Sequence, residues 1–567
     1  MAATPSDPGR APDPGPAPAP GPAPAPGPAP ASAAVVGLGA TGTELVRRLV
    51  AAGIRTTGVE PDARAAARAR AATPSDLLTV TDDLSATAAA EVVFEALPEP
   101  EARKRAVLRA LALYTGAPVV TTALTTPVAE LADPEGAELL ALRFVRADRL
   151  DTAELARAPH TSDATAARVT ELLKGMGITP HAVPDRPGSL APALLFGILN
   201  QAAWTYHDGY ADRESLDTAL RLGCGWDEGP LRILDAIGHR TARDILEGLH
   251  QRLGDRYDPA PLVAEPAAPA GRPPRAADPG VDTVAVIGSG TMATGIAEVF
   301  LRAGHRVLLV ARTGQKAEDA REAVEFGLQR SGTGPEDLAD ALARWTGTTD
   351  LARAADADLV VEAVVEDLAV KRALFADLGR VCRPGTLLAT TTSSLPVHAV
   401  AEATGRPQDV LGLHFFNPPP AMRLVELVHG KHTGDAALHR ARAVLDRLGK
   451  VPVECADRTG FLVNALLFPY LNDALGLLGA DGVRPALLDS VMKSVGQQPL
   501  GPTRLLDTVG ADVALEVQRR LHEDTGRPEL APVRLLEQLV ADGFLGRKSS
   551  GRGVRAYLTA QERPAAA

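Results

Sequence analysis

A glycine-rich turn near the middle of the chain has the residue types needed to hold the pyrophosphate of a dinucleotide. It follows the apolar run VAVI and places Gly288, Gly290 and Ala293 in a Gly-x-Gly-x-x-Ala spacing. The first glycine permits a sharp turn, the second lets backbone N–H groups approach a phosphate, and the small third residue lets the next helix pack closely. The predicted cofactor-binding loop is Gly288, Gly290, Thr291, Met292 and Ala293.

The end of the next apolar run bears on the choice of coenzyme. A carboxylate there accepts a hydrogen bond from a ribose 2′-OH, whereas an arginine can accommodate a 2′-phosphate. In the run GHRVLLVART the apolar residues are followed by Ala311-Arg312, and no acid is present. We therefore predict NAD(P) as the cofactor, with NADP favoured and Arg312 as the phosphate contact. The alternative is that Arg312 is a solvated surface residue.

Four short motifs follow the glycine turn, and each contains a side chain that could take part in proton transfer or bind a polar oxygen. The motifs are TTSSLP at 391–396, GLHFFNP at 412–418, LVE at 424–426 and GFLVN at 460–464. Their polar side chains include Ser393, His414, Glu426 and Asn464.

In sequence and spacing these motifs resemble the L-3-hydroxyacyl-CoA dehydrogenase family, which includes the bacterial 3-hydroxybutyryl-CoA dehydrogenases. The resemblance covers about residues 281–558. It implies reversible oxidation of an (S)-3-hydroxyacyl-CoA to a 3-oxoacyl-CoA, as in fatty-acid β-oxidation, with an acyl-CoA as the substrate. By position, Arg330 is a candidate contact for the CoA phosphates, and the alternative is an ordinary solvated charge on a helix.

The family resemblance also implies a role for each polar side chain. His414 would be the catalytic base, and Glu426 the carboxylate that orients it. Oxidation of an alcohol requires such a pair, because a base must remove the hydroxyl proton while hydride leaves for nicotinamide, and imidazole ionises near neutral pH. The residues implied around the substrate oxygen and on the cofactor side are Ser393, Asn464, Glu366 and Lys371.

The first half of the chain contains an altered copy of the same pattern. AVVGLGATG at 34–42 matches the glycine turn of the second half, and DRPGSLAPALLF at 185–196 matches DRTGFLVNALLF at 457–468. A repeat of this length is a duplication of whole folding units. The first copy carries Glu60 after its second apolar run, where the second copy has Ala311-Arg312 and no acid.

The two copies differ at the residues that matter for catalysis. Their alignment places Arg143 opposite His414, Pro192 opposite Asn464, and Leu124 or Thr125 opposite Ser393. Arginine stays protonated and proline has no side-chain donor, so neither can replace its counterpart. The first copy is therefore predicted not to catalyse the reaction.

Short apolar runs alternate with helical patterns at the start of each copy, and helical patterns alone follow. The predicted fold is an α/β Rossmann domain followed by an all-α domain, with this pair present twice in tandem. The predicted segments are a disordered Pro/Ala/Gly tail at 1–32, a degenerate Rossmann-like domain at 33–160, its helical domain at 161–257, a linker at 258–280, the catalytic Rossmann domain at 281–456 and its helical domain at 457–558.

Composition restricts the possible partners. The formal net charge of −11 disfavours binding to nucleic acid or to an anionic membrane surface. Three widely spaced cysteines give neither a disulfide framework nor a metal motif, and no apolar run is long enough to span a membrane, so a cytoplasmic location is expected. The tandem copies predict an intramolecular pseudo-dimer, and association of whole chains into a homo-oligomer stays open.

Two other functional classes stay open at this point. Another β-hydroxyacid dehydrogenase would keep the glycine turn but use a lysine-centred site. A non-catalytic dinucleotide-binding scaffold would need only the fold. The SSLP and HFFNP motifs argue against the first class, and the complete set of polar residues in the second half argues against the other.

Overall fold

A computed structural model describes residues 30–133, 136–261, 280–479, 482–547 and 551–561. The tail predicted at 1–32 lies outside these residues except for 30–32, and the linker predicted at 258–280 lies outside them except for 258–261 and 280.

Each half of the chain contains one eight-stranded sheet. The strands of the first half are β1 (Ser32–Val36), β2 (Arg55–Val59), β3 (Leu78–Thr81), β4 (Val93–Glu95), β5 (Val119–Thr121), β6 (Leu139–Arg143), β7 (Thr152–Arg157) and β8 (Thr179–Ala182). Those of the second half are β9 (Thr283–Ile287), β10 (Arg306–Val310), β11 (Trp345–Thr348), β12 (Leu359–Glu362), β13 (Leu387–Thr390), β14 (Val410–Phe415), β15 (Leu424–His429) and β16 (Val451–Ala456).

The two sheets have the same topology. Their strand orders are β3-β2-β1-β4-β5-β6-β7-β8 and β11-β10-β9-β12-β13-β14-β15-β16. Neighbouring strands pair in parallel except β6 with β7 and β14 with β15, which are antiparallel. The central strands are almost fully buried apolar runs, as in parallel sheets covered on both faces by helices.

Helices cover both sheets and then form a helical region in each half. The helices of the first half are α1 (Ala40–Ala51), α2 (Ala63–Ala72), α3 (Glu101–Leu111), α4 (Val128–Leu131), α5 (Asp163–Gly175), α6 (Ala191–His207), α7 (Arg213–Gly223), α8 (Pro230–Ile237) and α9 (His239–Leu253). Those of the second half are α10 (Thr291–Arg302), α11 (Gly314–Arg330), α12 (Pro335–Ala343), α13 (Leu368–Val381), α14 (Val397–Ala403), α15 (Asp435–Arg447), α16 (Val463–Gly476), α17 (Pro485–Ser494), α18 (Pro502–Val509), α19 (Ala511–Thr525), α20 (Arg534–Ala541) and α21 (Val554–Gln561).

The predicted fold class, a Rossmann domain plus a helical domain in tandem, is confirmed. The boundary predicted between residues 160 and 161 is wrong, because β8 pairs in parallel with β7 and extends the first sheet to Ala182. The tetrapeptide TPHA of β8 is partly exposed and lacks an apolar run, so its sequence does not mark it as a strand. In the second half the sheet ends with β16 at Ala456.

The helical regions of the two halves share one apolar core. The long apolar helices α6 and α16 pack against each other, and residues from both belong to a continuous buried cluster. At its edge Arg256 Nε lies 2.8 Å from Asp473 Oδ2, and the Arg458 guanidinium lies 4.2 Å from the centre of the Tyr210 ring. The first half is thus in direct contact with the helix that follows the GFLVN motif.

Among the described residues, no helix combines the length and the apolar character required to cross a lipid bilayer.

Candidate active site

His414 and Glu426 face each other across two neighbouring strands. They are directly opposite in the antiparallel register of β14 and β15. Side chains at such paired positions point to the same face of a sheet, so the strands bring the two groups together. The imidazole Nδ1 lies 2.5 Å from Glu426 Oε2, and the two residues are only 5% and 0% exposed.

Glu426 is held in place from its other side. Its Oε1 accepts the backbone N–H groups of Leu462 at 3.0 Å and Val463 at 2.8 Å. These N–H groups belong to the start of α16, where unpaired donors and the helix dipole favour a negative charge. The carboxylate is therefore fixed between the helix terminus and the imidazole, without water in between.

The second imidazole nitrogen meets a hydroxyl group. Ser393 Oγ lies 3.0 Å from His414 Nε2, which completes the series Ser393, His414, Glu426. The rings of Phe416 and Phe461 flank the imidazole, with their centres 4.8 Å and 5.6 Å from its centre. A proton on Nδ1 that is donated to the carboxylate leaves Nε2 as an acceptor, which is the arrangement of a general base.

Asn464 is joined to this series through the backbone. It follows Val463, whose N–H binds Glu426, and it is half-buried in the first turn of α16. The same contact that fixes the carboxylate therefore also fixes the backbone that carries the carboxamide.

Glu366 organises the loop that carries Ser393. Its Oε1 accepts from Thr392 Oγ1 at 2.5 Å and from the backbone N–H of Ser393 at 2.9 Å. Burial alone would raise the pKa of Glu366, but the charge of Lys371 and these hydrogen bonds outweigh it and lower the pKa below its usual value. Glu366 is therefore a carboxylate that sets the position of the serine.

Lys371, predicted on the cofactor side, is paired with Glu362 and Glu366. Its side chain is 1% exposed, and Nζ lies 2.7 Å from Glu362 Oε1 and 3.4 Å from Glu366 Oε2. Glu362 also accepts from Thr390 Oγ1 at the end of β13. Because two carboxylates surround the ammonium group, Lys371 supports the loop through Glu366.

The glycine turn has the shape required for a dinucleotide. Gly288 has a φ of +129°, and a Cβ there would lie 2.4 Å from the carbonyl oxygen of Ala363, so a side chain is excluded. Gly290 precedes α10 and has open space around it, while Ala293 is fully buried against the sheet. Thr291 and Met292 begin the helix, exposed and half-exposed respectively. The helix terminus is thus open to a phosphate group.

The two predicted arginine contacts lie on the surface. Arg312 is exposed immediately after β10. Arg330 is exposed at the end of α11, and its guanidinium lies 5.9 Å from the centre of the Phe326 ring. Within the described residues, no contact links either arginine to His414, so neither belongs to the reaction centre.

Three contributors were not identified from the sequence. Thr392 bonds to Glu366, and Arg520 of α19 donates to Ser394 Oγ at 2.5 Å. Asp457 accepts the N–H groups of Val397 and His398 and so holds the start of α14, which follows the serine loop. The repeated DR-x-G motif contains this aspartate and was a signal for it, whereas nothing local marks Arg520.

Comparisons with known proteins match both halves. The family model described as "3-hydroxyacyl-CoA dehydrogenase, NAD binding domain" matches residues 32–186 and 283–458. The model described as "3-hydroxyacyl-CoA dehydrogenase, C-terminal domain" matches residues 190–284 and 460–557.

Individual relatives each match about half of the chain. The 3-hydroxybutyryl-CoA dehydrogenase of Mycobacterium tuberculosis is 42% identical over 283 residues, which cover 49% of this chain and 99% of the relative. The 3-hydroxyadipyl-CoA dehydrogenase of Escherichia coli is 39% identical over 279 residues, which cover 48% of this chain and 58% of the relative. The crystal structure of Mycobacterium tuberculosis FadB2 is 42% identical, has a TM-score of 0.47, and covers 48% of this chain and 98% of that one.

Proposed function

The chain belongs to the 3-hydroxyacyl-CoA dehydrogenase family, and from this premise we propose that its second half interconverts (S)-3-hydroxyacyl-CoA and 3-oxoacyl-CoA with NAD(P). The observation that carries the proposal is the hydrogen-bonded series Ser393, His414 and Glu426. Relatives named 3-hydroxybutyryl-CoA dehydrogenase support a short acyl chain as the substrate.

His414 acts as the base in this proposal. Its Nε2 takes the proton of the 3-hydroxyl group during oxidation and returns it during reduction. Glu426 keeps the other proton on Nδ1 and stabilises the imidazolium that forms, since the buried carboxylate lies 2.5 Å away. When bound, the coenzyme would supply the nicotinamide ring as the hydride acceptor.

Ser393 and Asn464 bind the substrate oxygen. The serine hydroxyl lies 3.0 Å from Nε2, so an oxygen held by that hydroxyl is also within reach of the base. A hydroxyl and a carboxamide can donate to an oxygen as its charge changes between alcohol and ketone. Glu366 maintains this geometry by holding the serine backbone.

The residues of the glycine turn fit a dinucleotide, as the excluded side chain at Gly288 and the open space at Gly290 indicate. We propose NADP(H) as the preferred coenzyme, with Arg312 binding the 2′-phosphate. The exposed guanidinium after β10, with no neighbouring acid in Ala311-Arg312-Thr313, supports this choice. Arg330 is the proposed contact for the CoA phosphates, and its exposure at the end of α11 is compatible with that role.

The first half is proposed to serve as an internal partner, so that one chain forms a pseudo-dimer. The packing of α6 on α16 and the ion pair between Arg256 and Asp473 support this arrangement. A cytoplasmic location is also proposed, and the three free cysteines, Cys224, Cys382 and Cys455, are compatible with it.

The test is reduction of acetoacetyl-CoA, followed by the absorbance of the reduced coenzyme. The full chain is expected to turn over with both coenzymes and to give a higher kcat/KM with NADPH than with NADH. Arg312→Ala is expected to lower kcat/KM for NADPH by about tenfold and leave that for NADH unchanged, because it removes a charge-assisted contact to phosphate. Absence of turnover would refute the activity, and an NADH preference in the unaltered chain would refute the coenzyme assignment alone.

A further inference from the structure

We propose that Gly223, in the first half, is a positioning residue for the reaction centre of the second half. Its lack of a side chain lets α7 pack against the two segments that hold Glu426. This inference rests on the proposed function, because it concerns the orientation of the His414 and Glu426 pair.

The contact lies where α7 meets the second sheet. This helix packs on β15 and β16, and the N–H of Glu454 points to Ser215 Oγ at 3.4 Å. The helix ends at Gly223. A Cβ built on Gly223 would lie 3.0 Å from Leu424 Cδ2 and 3.0 Å from Val463 Cγ2. Carbon atoms in ordinary contact are about 3.5–4.0 Å apart, so a Cβ here would require the side chains of Leu424 and Val463 to give way.

These neighbours carry the groups that fix Glu426. Leu424 begins β15, the strand that presents Glu426 to His414. The backbone N–H of Val463 donates to Glu426 Oε1 at 2.8 Å. A shift of either residue would therefore move the carboxylate relative to the imidazole or lengthen the bond that holds it.

Cys224, the residue after Gly223, also lies near Glu426. Burial raises the pKa of the Cys224 thiol to about 12, and the neighbouring charge of Glu426 adds to the effect. Gly223 and Cys224 of the first half therefore lie close to the surroundings of Glu426.

The small space around residue 223, and not its backbone conformation, explains why this residue is a glycine. Gly223 is absent from the glycines with positive φ, so alanine or valine could adopt its backbone geometry. Glycine also weakens a helix relative to alanine, so its presence has a local cost. At the aligned position of the second half the residue is Val495, which is 5% exposed. The side chain at this position is thus absent in α7, the helix that packs near His414, and present in the second half.

The alignment that pairs these positions has a structural anchor. Asp217 Oδ1 accepts the N–H of Leu231 at 2.8 Å, and Asp489 Oδ1 accepts the N–H of Thr503 at 2.9 Å. These equivalent caps fix the register between α7 and α17, and Gly223 and Val495 lie at the same distance after them in sequence.

The experiment compares Gly223→Ala and Gly223→Val with the unaltered full chain. We expect kcat to fall modestly for alanine and about ten- to a hundredfold for valine, because small displacements of catalytic groups have large effects on rate. The KM for acetoacetyl-CoA and the dissociation constant of the coenzyme should stay within about twofold, since neither site is displaced. Adding Val463→Ala to Gly223→Val should restore most of kcat by removing one of the two obstructing side chains.

The control is Gly197→Ala on α6, at the same interface between halves. A Cβ there would lie 3.5 Å from Asp473 Oδ2, an ordinary contact away from Glu426, so kcat should not change. Equal losses for the Gly197 and Gly223 alanine variants, or a valine variant with normal kcat, would overturn the proposal. So would a valine variant whose coenzyme affinity falls together with kcat and which Val463→Ala does not rescue.

A readout without turnover separates this proposal from the proposed function. In ¹⁵N-histidine-labelled protein, the His414 N–H held by Glu426 should give a low-field proton signal that Gly223→Val shifts or removes and Gly197→Ala preserves. An inactive unaltered chain that shows this pattern would refute the activity but support the role of Gly223. An unchanged signal in Gly223→Val would refute that role whatever the activity.

Discussion

Arg143 and His414 occupy equivalent positions in the two halves of the chain. Arg143 lies opposite Glu154 in the antiparallel register of β6 and β7, as His414 lies opposite Glu426 in the register of β14 and β15. Glu154 accepts the N–H groups of Leu190 at 3.2 Å and Ala191 at 2.6 Å, which repeats the arrangement at the start of α16. The buried carboxylate and its helix terminus are therefore common to both halves.

The side chain opposite the carboxylate makes the difference. Arg143 is 0% exposed, and its guanidinium donates to the carbonyl oxygens of Ala123 and Thr126 and to Asp185. Arg143 can only donate hydrogen bonds, and its donors are bound to other groups of the protein. His414, in contrast, has one ring nitrogen that can accept a proton. The same fold thus supports an ion pair of Arg143 with Asp185 in one half and the proposed base His414 in the other, so the proposed function depends on a few side chains.

The largest effect is expected from His414→Ala. Loss of a general base typically costs about 10²–10⁴ in rate, so kcat for acetoacetyl-CoA reduction should fall by that factor. Coenzyme affinity, measured by fluorescence titration, should be retained because the glycine turn is unchanged. His439→Ala, an exposed histidine on α15, is the matched control and should keep normal kcat. A His414 variant with nearly normal turnover would remove the catalytic distinction between the halves.

The next effect concerns stability and comes from Arg143→Met. The substitution removes the ion-pair partner of Asp185, which keeps the N–H groups of Val128 and Ala129, and removes the donor of two carbonyl groups. The free energy of unfolding should therefore fall by about 3–5 kcal/mol. The kcat of the folded protein should not change, since the proposed reaction centre lies in the second half.

Denaturant unfolding at pH 7 provides the measurement for Arg143→Met. Arg157→Met breaks an exposed ion pair with Asp163 and should cost less than about 1 kcal/mol. If the two methionine variants were equally stable, the buried guanidinium would not be a structural element of the first half.

Much of this comparison was predictable from the sequence. The glycine spacing, the duplicated motifs and the substitution of His414 by Arg143 are local features of the chain, and the tandem fold they predict is confirmed. Local patterns are informative where a backbone turn or a buried strand determines residue type.

Contacts that depend on tertiary structure were not predictable in the same way. Arg520 reaches Ser394 from a helix far along the chain. Lys371 is paired with Glu362 of β12, and Thr390 of β13 donates to the same carboxylate. No periodicity encodes such pairings. The same holds for Gly223. It belongs to no recognisable motif, and its proposed positioning role depends on the packing of one half on the other.

The smallest effect, and the finest test of the comparison, is expected from Glu154→Gln. Glu154 is fully buried, and burial raises its pKa despite the N–H groups of Ala191 and Leu190 and the charge of Arg143. The folded state therefore binds more protons than the unfolded state, and stability is lost as pH rises from the ordinary carboxyl pKa through the raised value. Glutamine keeps an acceptor for both N–H groups without the buried charge.

Glu154→Gln should therefore be more stable than the unaltered chain by about 1 kcal/mol at pH 7. The difference should disappear as pH falls well below the ordinary carboxyl pKa of about 4.3, where the carboxyl group is protonated in both states. The corresponding change Glu426→Gln should instead abolish most of the activity, because that carboxylate orients His414. A Glu154 variant that is less stable than the unaltered chain at pH 7 would mean that Arg143 requires the negative charge of Glu154.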